Sequence, residues 1–577
     1  MSRLNRLSSR LVVAAVVLVL VSLLLCLRVV LWRPLALVGE SPRDGYTRVA
    51  GIVHVHTTLS DGGGSPQEVV AAARAAGLAF VAITDHNNLD AKPLEGYRDG
   101  VLVLVGCELS TTAGHILALG IPDPVFRFSG DALDGLDDVR HLDGFSFAAH
   151  PLNPRQDLRW TGWEVPGSWG LELVNLDTEW RDAHLRLAAT AALYALNRRY
   201  ALLQSLNSGD QMLARWDRMS LRRDVVGIAG ADAHSRLPIT TTHAVRFPSY
   251  EALFSLVRMH VLLRKPLSGE PIRDSQAILE GLKRGRTYIG VDGLAPADRF
   301  SFTIEGPSCS GTMGDTLAPT PGLVARAHGC VPRGARIILL RDGRRIAEAV
   351  EKLVQPVPGP GVYRVEVRVP GWPMPWIITN PIGVFDPAEQ LERLRRSQSS
   401  AASPEPATAL VLEDFEGSTS FSPGFDSLSA VTAPILDPGA GMDGRGAARL
   451  RFRLGVPTTS HPNVFCALVD WTHRDLTGRS GLVFRIRADG EYRIWVQVRD
   501  ENRASLDEGT EWWFASVRTA PEWKRVVVPF TRLRSINPHS DGVLNLDKVR
   551  AIVFVLDRGS VKPGTEGTIW IDRVGVY

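Results

Sequence analysis

The chain has 577 residues, of which 45% are hydrophobic and 22% are charged. This is enough for three or four domains, and it excludes a disordered chain, a collagen-like chain and a polytopic membrane protein. The formal net charge is +3, from 65 basic and 62 acidic residues, so the composition gives no support for general nucleic-acid binding. Five cysteines in a chain of this length exclude a disulfide scaffold.

The N-terminus predicts a membrane anchor. Residues 1–10 are basic, and residues 11–32 are apolar apart from Ser22 and Arg28. A helix of that length rises about 33 Å, enough to cross a hydrocarbon core of about 30 Å. No A-x-A cleavage site follows, so we expect an uncleaved single-pass anchor, with a cleaved signal peptide as the alternative. Residues 1–10 then form a cytoplasmic stub, residues 11–32 cross the cytoplasmic membrane, and the bulk of the chain is extracytoplasmic.

The remainder divides into four regions by its pattern. Between residues 50 and 297, short apolar runs alternate with helix-like stretches such as 66–76 and 182–199, which is typical of an α/β fold. Residues 298–386 contain short alternating strands and predict a small β-sandwich. Residues 387–409 form a charged, then Ser/Ala/Pro-rich linker. Residues 410–577 contain well-spaced strands and predict a larger β-sandwich.

Histidines and acids gather at the ends of the apolar runs in the α/β region. Continuous apolar runs are typical of parallel strands buried on both faces, and their carboxyl ends form the functional rim of an α/β barrel. In the H-x-H and D-x-H motifs the two side chains lie two residues apart, so on a strand they face the same side. The candidate metal ligands are His54, His56, Asp61, His86, Glu108, His115, His150, Asp232 and His234.

These nine ligands suffice for two or three divalent ions if one carboxylate bridges. Mixed nitrogen and oxygen ligands suit zinc, manganese or iron better than magnesium or calcium. Three divalent ions against three carboxylates leave the cluster positive. The composition of the site therefore favours an anionic substrate such as a phosphate ester.

The ordered motifs HVH, SDG, TDH, GCE, AAHP and GADAH resemble the PHP (polymerase and histidinol phosphatase) domain over roughly residues 50–297. The resemblance implies a distorted (β/α)7 barrel with a di- or trinuclear metal site. Many members have a histidine where this chain has Asp61. Carried over by position, the first metal is held by His54, His56, Glu108 and Asp232, the second by Glu108, His115 and His150, and the third by Asp61, His86 and His234.

Two further resemblances concern the regions after the barrel. The phrase PWIITNPIGV is similar to the closing strand of the CehA/McbA-like metallohydrolases, an extracytoplasmic branch that includes carbamate hydrolases. The last region, from LEDFEG to IDRVGVY, resembles the jelly-roll carbohydrate-binding domains of the galactose-binding superfamily. It holds six tryptophans, of which adjacent Trp512 and Trp513 cannot both face the core. This second resemblance implies a glycan as partner of the C-terminal domain.

Together these features predict a membrane-anchored, extracytoplasmic, metal-dependent hydrolase, most simply a phosphoesterase that uses a hydroxide held between metals. Asp232 is the expected proton acceptor, Glu108 the bridging carboxylate, and Asp85 the residue that orients His86. Glu172, Asn175 and Arg236 are candidate contacts to an anionic small-molecule or phosphoester substrate.

Three alternatives stay open at this point. The same site could serve a 5′–3′ exonuclease or nucleotide phosphatase, with nucleic acid only as substrate. It could also hydrolyse a carbamate or an amide. In a different class of protein, a glycan-binding surface protein would carry an inactive barrel.

The five cysteines allow one disulfide to be predicted. Only Cys309 and Cys330 share a small domain, and both lie in turn-rich sequence. An oxidising compartment would allow them to pair.

Overall fold

The computed structural model describes residues 2–181, 187–240, 243–398, 409–502, 505, 509–535 and 537–577. The chain forms two compact units. The first comprises Met1–Pro122 and Gly130–Ser400, and the second comprises Asp123–Ser129 and Ala401–Tyr577.

A single long helix opens the first unit. Helix α1 (Ser2–Leu31) contains neither glycine nor proline, the residues that most disfavour helix interiors. Its segment Val13–Leu31 is long and apolar enough to cross a membrane, and most of its large side chains are exposed. Its length and composition are those predicted for the anchor.

The barrel region alternates strands and helices as predicted. Its elements are β1 (Leu37–Val38), β2 (Thr47–Val55), α2 (Pro66–Ala75), β3 (Phe80–Ile83), β4 (Gly96–Arg98), β5 (Val101–Val105), β6 (Cys107–Thr111), β7 (Gly114–Leu119), α3 (Ala132–His141), β8 (Phe145–Ala148), β9 (Gly170–Asn175), α4 (Leu176–Arg181), α5 (Leu187–Leu196), α6 (Arg198–Leu203), α7 (Asp210–Ser220), β10 (Gly227–Ala233), β11 (Leu237–Pro238), β12 (Ala244–Val245), α8 (Tyr250–Phe254), β13 (Arg258–Leu263), α9 (Pro271–Arg284) and β14 (Thr287–Gly290). Within the predicted helical stretch 182–199, residues 182–186 lie outside the described residues.

Parallel pairing builds most of the barrel wall. Strands β5, β3, β2, β10, β9 and β8 are parallel neighbours in that order. Strands β8, β7 and β6 then pair antiparallel, and a parallel bridge from His86 to Glu108 closes the ring. The carboxyl ends of the parallel strands consequently meet at one rim.

The strands of residues 298–386 do not form a small β-sandwich separate from the barrel. Strands β15 (Phe300–Glu305), β16 (Ser310–Thr312), β18 (Val324–Gly329) and β22 (Lys352–Pro356) form a four-stranded sheet. The other strands are continuous with the barrel sheet through β24, which pairs with the edge of β14. That pairing covers a strand edge that would otherwise stay open. They are β17 (Thr316–Leu317), β20 (Arg336–Arg341), β21 (Arg344–Val350), β23 (Gly361–Arg368), β24 (Ile377–Thr379) and β25 (Ile382–Val384). Strand β19 (Val331–Pro332) instead pairs with β1.

The predicted linker begins in a helix. Helix α10 spans Pro387–Gln398, and its Arg393 is buried, donating to Asp224 and to two backbone carbonyls of the first unit. Residues 399–408 lie outside the described residues.

The second unit is a sandwich of two antiparallel sheets around an apolar core. One sheet has seven strands: β26 (Leu410–Glu413), β28 (Ala430–Thr432), β29 (Leu436–Asp437), β30 (Ala447–Arg453), β32 (Gly481–Ala488), β35 (Lys524–Pro529) and β38 (Glu566–Val576). The other has six: β27 (Phe421–Phe425), β31 (Phe465–Asp470), β33 (Arg493–Glu501), β34 (Thr510–Arg518), β36 (Arg534–Ser535) and β37 (Val549–Asp557). On β34, Trp513 packs into the core whereas Trp512 is exposed, as strand alternation requires.

The predicted disulfide is wrong. All five cysteines are free. Strands β15 and β18 pair antiparallel over six residues, with Glu305 opposite Val324 and Phe300 opposite Gly329. Cys309 lies beyond the Glu305 end of this ladder, and Cys330 lies beyond the Gly329 end. Each residue of a strand advances roughly 3.3 Å, and the two thiols are consequently much too far apart to bond.

Candidate metal centre

The ligands lie at the carboxyl rim, where the backbone leaves regular strand geometry. His54, His150 and Asp232 have φ values of 65°, 30° and 45°. Residues other than glycine rarely adopt this left-handed region, and such strained conformations cluster at functional sites. The register of β2 against β3 and β10 shifts at these positions. From this irregular end of β2, His54 and His56 both face the carboxylates of Glu108 and Asp232.

Glu108 is the centre of the cluster. Its Oε2 lies 3.2 Å from His54 Nε2 and 3.0 Å from His56 Nε2, while His86 Nδ1 is 3.3 Å away. Its Oε1 lies 2.9 Å from both His115 Nδ1 and His150 Nε2. The two carboxylate oxygens thus face two different sets of histidines.

Two further carboxylates complete the cluster. Asp232 Oδ1 lies 3.4 Å from His54 Nε2 and 3.2 Å from His56 Nε2. Asp61 Oδ1 lies 3.2 Å from His234 Nε2 and 3.9 Å from His86 Nε2. Among the described residues, three groups bring ligand atoms within 4.8 Å of one another: His54, His56, Glu108 and Asp232; His86, Glu108 and His115; and His56, Asp61, His86 and His234. The first group is the predicted first metal set; the others share members with the predicted sets.

Unpartnered ring nitrogens test whether these residues fit a metal. Several buried imidazole nitrogens of the cluster form no aligned hydrogen bond: His54 Nε2, both nitrogens of His56, His86 Nδ1 and His150 Nδ1. Three of them nevertheless lie 3.0–3.3 Å from Glu108 Oε2. Buried polar atoms are normally paired, because leaving one unpaired costs about 1–3 kcal/mol. Imidazole and carboxylate are the ligand types of divalent transition metals. The residues present therefore fit bound metal ions.

The field inside the cluster favours cations. Burial by itself raises the pKa of the Glu108 carboxyl, but the charge of His54 and hydrogen bonds from His115 and His150 hold it well below its ordinary value. Burial lowers the pKa of His234, but the hydrogen bond to Asp61 and the charge of Asp232 raise it to about 10. Glu108 is therefore ionised near neutral pH, and a field that favours imidazolium also favours a metal ion.

Comparison with known proteins agrees with this geometry. Residues 53–142 match the family model of the PHP domain. This segment of the chain is similar to the PHP domain. The match includes His54, Asp61, Glu108 and His115, and the fold brings His150, Asp232 and His234 to the same centre from later strands.

Three of the proteins that are similar to parts of this chain are the following. An uncharacterized protein of Methanocaldococcus jannaschii is 28% identical over 117 residues, covering 18% of this chain and 67% of that protein. A two-domain protein of Bacteroides vulgatus, described as containing a predicted PHP-like metal-dependent phosphoesterase, is 17% identical, with a TM-score of 0.30, covering 61% of this chain and 99% of that one. A family 11 carbohydrate-binding module of Clostridium thermocellum is 20% identical, with a TM-score of 0.24, covering 30% and 96%.

Two residues predicted to contact substrate, Glu172 and Asn175, instead contact candidate metal ligands. Glu172 is fully buried, and its Oε1 accepts the Nδ1–H of His54 at 2.7 Å. Its Oε2 accepts the backbone N–H of His150 at 2.5 Å and the side-chain N–H of Asn175 at 2.8 Å. Asn175 also donates to Asp232 at 3.1 Å. These contacts favour a role in orienting ligands, since a carboxylate on Nδ1 leaves Nε2 free for a metal.

The predicted contact between Asp85 and His86 does not form. Asp85 Oδ1 accepts from the backbone of Thr57 at 2.7 Å and from Ser60 at 2.5 Å, and Oδ2 accepts from the Thr57 hydroxyl at 2.7 Å. Adjacent residues of an extended segment point to opposite sides, so His86 turns to the metal cluster and Asp85 to the loop after β2. Asp85 therefore fixes the loop that carries Asp61.

A cavity of about 460 Å³ opens above the cluster. Arg155, Arg181 and Arg236 line it together with ligands of the PHP site, so the predicted Arg236 is at the mouth. Sequence reasoning missed Asp177, which also lines the cavity and accepts from Arg181 Nε at 2.5 Å. Burial and the charge of Asp232 raise the pKa of Asp177. Its position just after β9 is the signal that could have found it.

Gly230→Ala is expected to disturb the centre without touching a ligand. An added Cβ on β10 would lie 1.7 Å from Glu172 Oε1 and 2.9 Å from the His54 Cβ, so Glu172 must leave His54. We expect roughly a tenfold or greater loss of metal affinity, measured by competition with a chelating dye. Gly130→Ala is the control, because an added Cβ there meets no atom within 4 Å. Equal affinity in both variants would contradict the assignment of Glu172.

Proposed function

We propose that this chain is a membrane-anchored, extracytoplasmic, metal-dependent phosphoesterase of the PHP type. The observation that carries the proposal is Glu108, whose two oxygens face separate histidine sets about 3 Å away. A carboxylate placed between two sets of nitrogen ligands suits at least two ions that share it. Zinc, manganese and iron are the metals that the ligand types favour.

The residues of the centre divide into holding, orienting and binding roles. His54, His56, Glu108 and Asp232 would hold one ion, Glu108 with His115 and His150 a second, and Asp61 with His86 and His234 a third. Divalent ions held by these residues would supply a water of lowered pKa and would neutralise charge on the phosphoryl oxygens. Glu172 and Asn175 orient His54 and Asp232, and the Asp232 carboxylate accepts the proton of the attacking water.

The mouth of the cavity provides the contacts to an anionic group. Arg236 and Arg155 are exposed at the mouth, and Arg181 is held by Asp177. Guanidinium groups bind phosphate oxygens through paired hydrogen bonds. The proposed substrate is therefore a phosphoester whose phosphoryl group lies between the ligands and these arginines.

The test is hydrolysis by the purified full chain. We expect bis(p-nitrophenyl) phosphate or p-nitrophenyl phosphate to be hydrolysed, with activity lost on chelation and restored by Zn²⁺, Mn²⁺ or Fe²⁺. A p-nitrophenyl carbamate assayed in parallel tests for carbamate hydrolysis, which is the alternative reaction. Hydrolysis of the carbamate alone would reject the phosphoesterase proposal, and chelator-resistant activity would reject a metal-dependent one.

The proposed location gives a prediction of its own. Helix α1 should tether the chain and leave residues from about 40 onward outside the cytoplasm. Protease added to intact spheroplasts is then expected to remove the bulk of the chain, as followed with an antibody against the C-terminal sandwich. Protection until the cells are lysed would reverse the orientation. Since the cysteines are free, this prediction depends on the N-terminal helix alone.

A second proposed function, glycan binding, belongs to the C-terminal sandwich. Trp471 and Trp512 are exposed there, and the guanidinium of Arg499 lies 5.5 Å and 3.9 Å from their rings. Exposed aromatic rings stack on sugar faces. In affinity electrophoresis with a panel of polysaccharides, Trp512→Ala is expected to weaken binding to a retained polysaccharide by roughly tenfold. Undiminished retardation would reject these tryptophans as the contact.

A further inference from the structure

The end of helix α1 is fixed to the barrel without a flexible spacer. The side-chain amide of Asn197 donates to the carbonyls of Val29 and Trp32 at 3.1 Å and 3.3 Å. The ring of Trp32 lies 5.6 Å from that of Tyr200, and Leu35 donates to the backbone of Leu294. A membrane that holds α1 must consequently lie against the face of the barrel formed by α5 and α6.

That face has the composition of a membrane interface. Helix α5 (Leu187–Leu196) contains no charged residue, and Leu196 is 41% exposed. Arg198 and Arg199 follow after Asn197, and the next residue is Tyr200, which packs against Trp32. Aromatic rings and basic side chains are enriched at the level of lipid headgroups, where basic groups meet phosphates.

A chain of ring contacts joins this face to the metal cavity. Tyr194 of α5 lies 4.8 Å from Phe247, and Phe247 lies 5.7 Å from Trp180. Arg181 stacks on Trp180 at 4.5 Å and donates to the carbonyl of Arg236 at 3.2 Å. Arg181 and Arg236 line the cavity. The mouth of the cavity is therefore separated from α5 by only a few packed side chains.

The paired strands β11 and β12 carry apolar side chains from the cavity into solvent. Pro238 lines the cavity, and Ile239 and Val245 beside it are 62% and 49% exposed. Large apolar side chains that project together next to a binding site favour an apolar partner. We call Ile239 and Val245 the apolar margin of the cavity.

We propose that the cavity takes its substrate from the membrane that holds α1, so that the substrate is the phosphorylated headgroup of a membrane lipid. The apolar margin rests on that membrane, and the arginines at the mouth receive the headgroup. This proposal rests on the phosphoesterase function and on the anchor. A lipid is favoured over a soluble phosphoester because α1 places the margin beside the acyl chains that a soluble ester lacks.

The test uses the full chain, loaded with Zn²⁺ or Mn²⁺ and reconstituted in phosphatidylcholine liposomes. The substrates are phosphatidate and phosphatidylglycerol in the liposomes, and their acyl-free counterparts glycerol 3-phosphate and glycerophosphoglycerol in solution. We expect at least a tenfold higher turnover of one of the lipids than of its counterpart. Equal or faster turnover of the soluble counterparts overturns the lipid substrate while leaving the phosphoesterase. Turnover of no phosphoester overturns both.

Variants of the apolar margin provide the second measurement. Ile239→Glu with Val245→Glu is expected to lower lipid turnover at least tenfold and to leave hydrolysis of bis(p-nitrophenyl) phosphate within twofold. Val350→Glu, on an equally exposed valine of β21, is the control and should change neither rate. Equal loss on lipid and soluble substrates would overturn a role of the margin in lipid access.

A spectroscopic measurement is independent of activity. An environment-sensitive fluorophore on Ile239→Cys, in a chain with Cys26→Ser and Cys309→Ser, should shift to the blue relative to the same fluorophore on Val350→Cys. Fluorophores with the same water-like emission at both positions would overturn the contact of the margin with the membrane.

Discussion

Glu108→Gln is expected to remove more than one metal ion and nearly all activity. The carboxylate is buried and faces five imidazoles through its two oxygens. A glutamine offers one oxygen and one N–H₂ group, and an amide nitrogen does not ligate these metals. We expect kcat/KM to fall by roughly 10³-fold or more, about 4 kcal/mol of transition-state stabilisation. Elemental analysis and phosphoester hydrolysis measure the two losses.

His234→Ala is the comparison for that variant. His234 contributes to one of the three ligand groups, whereas Glu108 contributes to two. We therefore expect His234→Ala to lose at most one ion and Glu108→Gln to lose more than one. A chain that keeps all its metal after Glu108→Gln would show that the carboxylate does not bridge.

Glu172→Gln is expected to weaken metal binding although Glu172 is not a ligand. Its two oxygens accept three N–H groups, from His54, His150 and Asn175. A glutamine accepts on one oxygen only, so at least one donor is left facing an N–H₂ group. Loss of such an outer partner typically costs 10–100-fold in metal affinity, and we expect a loss in that range by dye competition.

Asp292→Asn is the matched control for Glu172→Gln. Asp292 pairs with buried His260 at 2.8 Å in the same barrel, and neither residue belongs to a ligand group. This variant should lower the melting temperature while keeping the metal. If both variants bind metal as the unchanged chain does, Glu172 has no orienting role.

Most of the candidate ligands could be predicted because they end an apolar run, and the carboxyl ends of parallel strands meet at one rim. His115 instead lies near the start of β7, and Asp61 lies in the loop after β2. Asp232 and His234 close β10, while His54 and His56 close β2, as their motifs indicate. The run VLVLVGCE is different, since it divides into β5 and β6 at Gly106. An added Cβ at Gly106 would lie 2.3 Å from the carbonyl oxygen of Ala118, and that close approach is set by β7, which a local pattern cannot show.

Contacts between distant segments account for what the sequence did not reveal. Glu172 meets His54 across 118 residues, and Asp85 meets Thr57 across 28. Whether a buried acid contacts substrate, a ligand or a loop depends on which strand lies next to it. The same holds for β24, whose partner β14 is fixed by the edge that the barrel leaves open. Residue type and spacing thus indicate which side chains gather in the candidate metal cluster, but not which buried acids contact them.

The central claim is that Glu108 joins at least two ions in a centre that hydrolyses a phosphoester. The most direct test is to strip the full chain with a chelator and titrate it with Mn²⁺ or Zn²⁺ while following bis(p-nitrophenyl) phosphate hydrolysis. We expect activity to stay near zero while the first equivalent of metal ion binds and to appear as the second equivalent binds. Full activity with one ion per chain, or with none, would contradict it.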